Sequence, residues 1–145
     1  MSLPAAILVA GLALGVSNPI QVVDDSGQTI SLERPAQRIL ALSPHSVELV
    51  FAAGAGTKLV GRVRGSNYPP QALGLPEVGD AARIDREAVL ALDPDLVIGW
   101  HSGNGERDLS WIAERGIPLY RSDPPTLEAI AKNIEDLGHL AATWE

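Results

Sequence analysis

Four short apolar runs set the architecture of this chain: Arg38-Ile39-Leu40-Ala41-Leu42, Lys58 to Val63, Leu96 to Gly99, and Ile117 to Tyr120. Each is too short for a stable helix, and the first is apolar without alternation, the mark of a strand buried on both faces. Helical patterns follow or separate them. Ser43 is placed to cap a helix with Pro44 in its first turn, and Val47, Val50 and Phe51 share one face until Gly54 or Gly56 stops it. Asp85 caps a second helix with Ala88, Val89 and Leu92 inward, and Asp93-Pro94 ends it. A third runs from about Glu106 to Gly116 with Leu109, Ile112 and Ala113 on one face. Thr126 caps the last, which carries Leu127, Ile130, Ile134, Leu137 and Leu140 in register and offers a Glu128–Lys132 pair. Strands alternating with helices predict an α/β fold with a mostly parallel sheet flanked by helices. Ahead of it, Ile20 to Leu32 reads as a hairpin turning at Asp24-Asp25-Ser26-Gly27.

The chain of 145 residues suits one domain with a real core. It contains no cysteine, which excludes disulfides, thiolate metal sites and a cysteine nucleophile. A net charge of −7 argues against nucleic acid as a partner. Leu3 to Val16 is uncharged and apolar, shorter than a membrane span but suited to the core of an export signal. Residues 1–19 are therefore read as a signal-peptide remnant and 20–145 as the folded unit. The rival reading of the apolar stretch is a buried first helix. Because Thr143-Trp144-Glu145 follows a helix with no closing element, the natural protein is expected to continue.

Ligands of such sheets bind beyond the carboxyl ends of the strands. The loops there bring together Tyr68, Trp100, His45, His101, Arg64, Arg83 and Asp80. Enzyme templates do not fit. Gly103-x-Gly105 opens a helix after a strand, but Asp108 holds the third glycine position, where a carboxylate would repel a pyrophosphate. Gly54-x-Gly56 lies after a helix, and Ser102 is off centre for a nucleophile elbow. His45, His101 and His139 form no short-spaced pair, so no metal site is expected, and His139 falls on the solvated side of its helix. Tyr68 and Trp100 are rare loop aromatics in a chain with only six. Such rings supply either a flat wall for an organic ligand or a core anchor. Both readings stand for Trp100; Tyr68, set before Pro69-Pro70, is read as facing a ligand.

Arg38-Ile39-Leu40-Ala41-Leu42-Ser43-Pro44, Glu48-Leu49 and Ala52-Ala53-Gly54 resemble the opening of the helical-backbone (class III) periplasmic binding proteins, receptors for ABC importers of cobalamin, ferric siderophores and haem. Asn67-Tyr68-Pro69-Pro70-Gln71-Ala72, Pro94 to Trp100, Gly103-Asn104 and Glu106-Arg107 are most similar to the cobalamin-binding branch, and the likeness runs from about Val22 to Leu140. It implies two α/β lobes joined by a long helix, of which this chain supplies the N-terminal one, and a periplasmic binding protein rather than an enzyme. Cobalamin is the ligand it implies, with no cofactor and an inner-membrane ABC permease as partner. Tyr68 and Trp100 match pocket aromatics of the family; Ser43, Arg83 and His101 complete the expected ligand-binding set, and Glu87 matches an acid that docks onto the permease. Two positions depart from the pattern: Ala81 stands where the branch has a further pocket tryptophan, and His101 replaces an arginine. An iron complex, a siderophore or haem, is the alternative ligand, favouring Arg64 and Arg83. A small stand-alone α/β enzyme or regulatory domain is the remote one. A lone lobe would expose an apolar seam through which it could dimerise.

Overall fold

A computed structural model describes residue 15 and residues 17–144. The apolar stretch read as a signal remnant therefore lies, but for Gly15, outside the described residues up to Val16. Two sheets form. Strands β1 (Ile20–Val23) and β2 (Thr29–Leu32) make the expected antiparallel hairpin, with Val22 opposite Ile30. Its turn uses Gly27 at φ +83°, a conformation that side chains with a Cβ resist. The second sheet is all parallel, in the order β4-β3-β5-β6, from β3 (Ile39–Ala41), β4 (Leu59–Gly61), β5 (Leu96–Trp100) and β6 (Leu119–Ser122).

The strand period divides the core in two. Ile39, Ala41, Leu96, Ile98 and Tyr120 face one side, where they meet Val47 and Val50 of α1 (Pro44–Ala52), Leu137 and Leu140 of α4 (Leu127–Ala141), and the hairpin. Leu40, Leu42 and Val97 face the other, against Val89 of α2 (Arg86–Leu92) and Leu109 and Ile112 of α3 (Glu106–Glu114). Helices on both faces explain why the strands carry so few polar residues. Each well-buried aliphatic side chain here contributes on the order of 1.5–3 kcal/mol.

The predicted caps form as drawn. Ser43, Asp85 and Thr126 each accept the backbone N–H of the third residue on, from Ser46, Ala88 and Ala129 respectively. Three details of the sequence reading are corrected. Ala113 is exposed, because the inner face of α3 is narrower than the apolar spacing implied. Leu127 is 81% exposed, since the first turn of α4 lies where no core partner reaches it. Lys132 turns away from Glu128 and instead donates to the Val23 carbonyl, at 2.6 Å, and to Asp136. That choice pins α4 to the hairpin, and the Tyr120 hydroxyl adds a 2.7 Å bond to the same Asp136 carboxylate.

Candidate ligand-binding edge of the sheet

The strand order reverses direction between β3 and β5: from β3 the chain moves outward to β4, from β5 to β6 on the opposite side. At such a switch point the two loops leave in opposite directions and open a crevice at the carboxyl edge. His45, two residues past the β3 loop, and Trp100, the last residue of β5, meet there. Their rings lie 5.6 Å apart, edge to face at 83°. Both are half-buried, and with Leu49, Ile130, Pro124 and Asp123 they line a cavity of about 440 Å³.

One buried side chain fixes this geometry. Asn104 accepts the Trp100 backbone N–H at 2.6 Å and donates to the Leu42 carbonyl at 3.0 Å and the Ala81 carbonyl at 2.7 Å. A single amide thus ties the loops after β3 and β5 to the one that precedes α2. Gly103 serves the same end, because a Cβ at that position would overlap the Trp100 indole. The ring lies directly over bare backbone.

His45 is held as firmly. The Ser43 hydroxyl stands 3.0 Å from its Nδ1 and the Ser122 hydroxyl 3.4 Å from its Nε2. Ser122 donates its own proton to Asn133 at 2.6 Å, so it accepts from Nε2–H and the Nδ1 lone pair is left for Ser43. Burial lowers the imidazole pKa, opposed by the charges of Asp123, Glu48 and Asp25. The result is a neutral ring with both nitrogens occupied. Behind it, Asn133 donates to the Asp25 carboxylate at 3.0 and 3.1 Å, and Asp25 accepts the Asp123 backbone N–H at 2.7 Å. Ser102 closes the rim with a 3.0 Å bond to Asp123.

The residues singled out in the sequence fall in distinct places. Trp100 is in the crevice. Tyr68 is 68% exposed on the loop after β4, a free aromatic face. Arg83 is exposed on the loop before α2. Ser43 is fully buried, and its hydroxyl is spent on the α1 cap and on His45, so it acts behind the surface rather than on it. His101 turns to another side, where it lines a separate cavity of about 620 Å³ with Asp24, Glu106 and Arg121. There Arg121 grips Glu106 with bonds of 2.9 and 3.0 Å, which, with the Ser110 hydroxyl, hold the Glu106 carboxyl down to about 2. Ala81 is half-buried, and its carbonyl serves Asn104. Glu87 is exposed in the first turn of α2, where a helix N-terminus favours an acid in any case. Asp108, the residue that spoils the dinucleotide pattern, pairs with Arg86 at 2.9 Å and accepts the Ile84 N–H. Among the described residues no group of three His, Cys, Asp or Glu side chains could hold a metal.

Sequence reasoning named His45 as a loop residue but did not find its partners, and it missed Asn104 as a structural centre. The signal for Asn104 was local: a lone polar amide between Gly103 and Gly105, four residues past a strand end.

The fold and this edge define a binding module of the kind that forms one lobe of a receptor. The family model described as "Periplasmic binding protein" matches residues 39–142. The chain belongs to the periplasmic binding protein family, whose members are binding proteins and not enzymes. It is 46% identical over 111 residues to a vitamin B12-binding protein of Vibrio cholerae serotype O1, covering 77% of this chain and 40% of that one. It is 48% identical over 103 residues to a vitamin B12-binding protein of Vibrio campbellii, covering 71% and 38%. Among solved structures it superposes on the periplasmic vitamin B12 binding protein BtuF of Vibrio cholerae with TM-score 0.72 and 46% identity, over 74% of this chain and 42% of that one. A periplasmic haem-binding protein from Pseudomonas aeruginosa matches with TM-score 0.66 and 32% identity, over 74% and 39%. The chain thus spans about two fifths of the length of the relatives it matches, the extent of a single lobe.

Proposed function

We propose that this chain is the N-terminal lobe of an exported receptor that binds cobalamin between two lobes and delivers it to an ABC permease. The observation that carries the reading is the Trp100 indole. It stands at the switch point over bare Gly103 backbone, with its strand end locked by Asn104. A large planar ring fixed in this way offers a stacking face at little entropic cost, suited to a flat, mostly neutral organic ligand. Tyr68 supplies a second face, and Arg83 a polar contact at the rim. Glu87, exposed on α2, is the acid this lobe would present to basic residues of the permease. The names of the vitamin B12-binding relatives support the ligand.

Haem is the rival ligand, and haem-binding relatives share the fold at 31–32% identity. The crevice favours it less, because both nitrogens of His45 are engaged by Ser43 and Ser122 and neither is free for iron. Parallel calorimetric titrations of the full-length, two-lobed receptor with cyanocobalamin, haem and a ferric siderophore test the assignment. Saturable one-to-one binding of cobalamin, tighter than that of either iron complex, is expected. A response to haem or siderophore with none to cobalamin up to millimolar concentration overturns the ligand but keeps the receptor.

A further inference from the structure

The loop that carries Tyr68 is closed at its stem by backbone bonds. Arg62 N–H donates to the Pro76 carbonyl at 3.0 Å, and Val78 N–H to the Arg62 carbonyl at 2.8 Å. Between these stems the chain passes Tyr68 and winds into a short 3-10 turn at Pro70–Gly74. Loops of this length keep a shape only when something inside them fills the turn. Here it is the Arg62 side chain, 8% exposed. Its guanidinium donates to the Ser66 carbonyl at 3.5 Å and the Leu73 carbonyl at 3.4 Å, and it meets the Glu77 carboxylate at 3.3 Å. Ser66 precedes Tyr68 and Leu73 follows it, so one planar fork spans both arms of the segment that presents the ring.

A buried guanidinium is a costly way to fill a loop, since its desolvation penalty is several kcal/mol before the contacts are counted. An aliphatic side chain would fill the same space more cheaply but would make no bond to either arm. The grip is also sparing: Arg62 Nε and Ser66 Oγ are buried without a partner. Each arm has local backbone bonds of its own, such as Asn67 N–H to Gly65 and Ala72 N–H to Pro69, but the side-chain bonds from one arm to the other are the two long ones of the Arg62 fork. We propose that Arg62 is a positioning residue for Tyr68, setting through this fork where the phenol ring stands at the ligand-binding edge. Lysine cannot replace it, because an ammonium has no planar fork to reach both carbonyls in fixed directions. This inference rests on Tyr68 being a ligand contact, as proposed above.

The test is a set of double-variant titrations of the full-length, two-lobed receptor with cyanocobalamin, together with backbone hydrogen exchange of residues 63–75 in the free protein. Arg62→Lys is expected to weaken binding about fivefold, the worth of one aromatic contact of about 1 kcal/mol. In a Tyr68→Ala background the same change should cost less than about twofold, while on Trp100→Ala it should again cost about fivefold. Exchange should quicken across residues 63–75 and stay unchanged in α1 and β5. Equal losses in the Tyr68→Ala and Trp100→Ala backgrounds, or unchanged loop exchange, overturn the proposal. If Arg62→Lys does not fold, Glu77→Gln removes the charge of the outer, half-exposed partner, together with its longer contact to the exposed Arg64, and should show the same pattern at smaller amplitude. If the unaltered protein binds no cobalamin, the functional reading falls, and loop exchange alone decides the role of Arg62.

Discussion

Replacing Asn104 tests whether one amide holds the binding edge together. The side chain makes three hydrogen bonds, at 2.6, 2.7 and 3.0 Å, and the partners are backbone of three separate segments: the end of β5, the loop after β3 and the loop before α2. Bonds of this kind are worth about 1 kcal/mol each net, and stranding a buried partner costs about 1–3 kcal/mol. The Leu42 partner is fully buried, but Trp100 and Ala81 are only half-buried, so water can reach some of the freed groups on relaxation. Asn104→Leu should therefore destabilise the fold by about 3 kcal/mol, not by the full sum of stranded groups. For a chain of this size that lowers Tm by roughly 6–12 °C. Asn104→Asp keeps the acceptor for Trp100 N–H but loses both donations and turns a carboxylate toward two carbonyl oxygens. It should be at least as damaging as the leucine, although it is nearly isosteric. Urea unfolding followed by far-UV circular dichroism measures both. A loss below about 1 kcal/mol for Asn104→Leu, or an Asn104→Asp variant as stable as the parent, would show that the amide does not hold this edge together.

Two further consequences concern the same edge. Gly103→Ala places a methyl group inside the volume of the Trp100 indole, so the ring must leave its seat. Cobalamin affinity should drop about fivefold, as for Trp100→Ala, with a changed tryptophan near-UV signal; parental affinity and spectrum would show that the seat is not required. His45 has a depressed pKa in the fold, chiefly through burial. Below about pH 6.5 the unfolded chain takes up a proton that the folded imidazole resists, so stability is full above that pH and falls as pH drops below it. His45→Gln should flatten the stability profile below about pH 6.5, and an unchanged slope there would contradict the assignment.

What the sequence made legible was local. Ser43, Asp85 and Thr126 could be read as caps because a cap needs only the residues of its own first turn. The parallel sheet was legible because strands covered on both faces leave apolar runs. Leu127, Ala113 and Lys132 were misread for a shared reason. Periodicity shows which residues could face a core, but not where the covering surface stops or which distant carbonyl competes for an ammonium. The site followed the same division. Trp100 was visible as a loop aromatic at a strand end and Tyr68 as one set before Pro69-Pro70; the resemblance gave both a place in the pocket. The support of His45 by Ser122, Asn133 and Asp25 joins positions as much as 108 residues apart, and no spacing rule reaches that far. His101 was grouped with Trp100 by adjacency, whereas neighbouring residues at a strand end point to opposite sides.

If Tyr68 and Trp100 form the aromatic wall of a cobalamin site, removing both rings must weaken it. Calorimetric titration of cyanocobalamin into the full-length, two-lobed receptor and into its Tyr68→Ala/Trp100→Ala double variant of matched stability measures the loss. With each ring worth about 1 kcal/mol or more, the double variant should bind about 30-fold more weakly or not at all. Cobalamin binding of undiminished affinity in the double variant would show that the two rings do not form the wall.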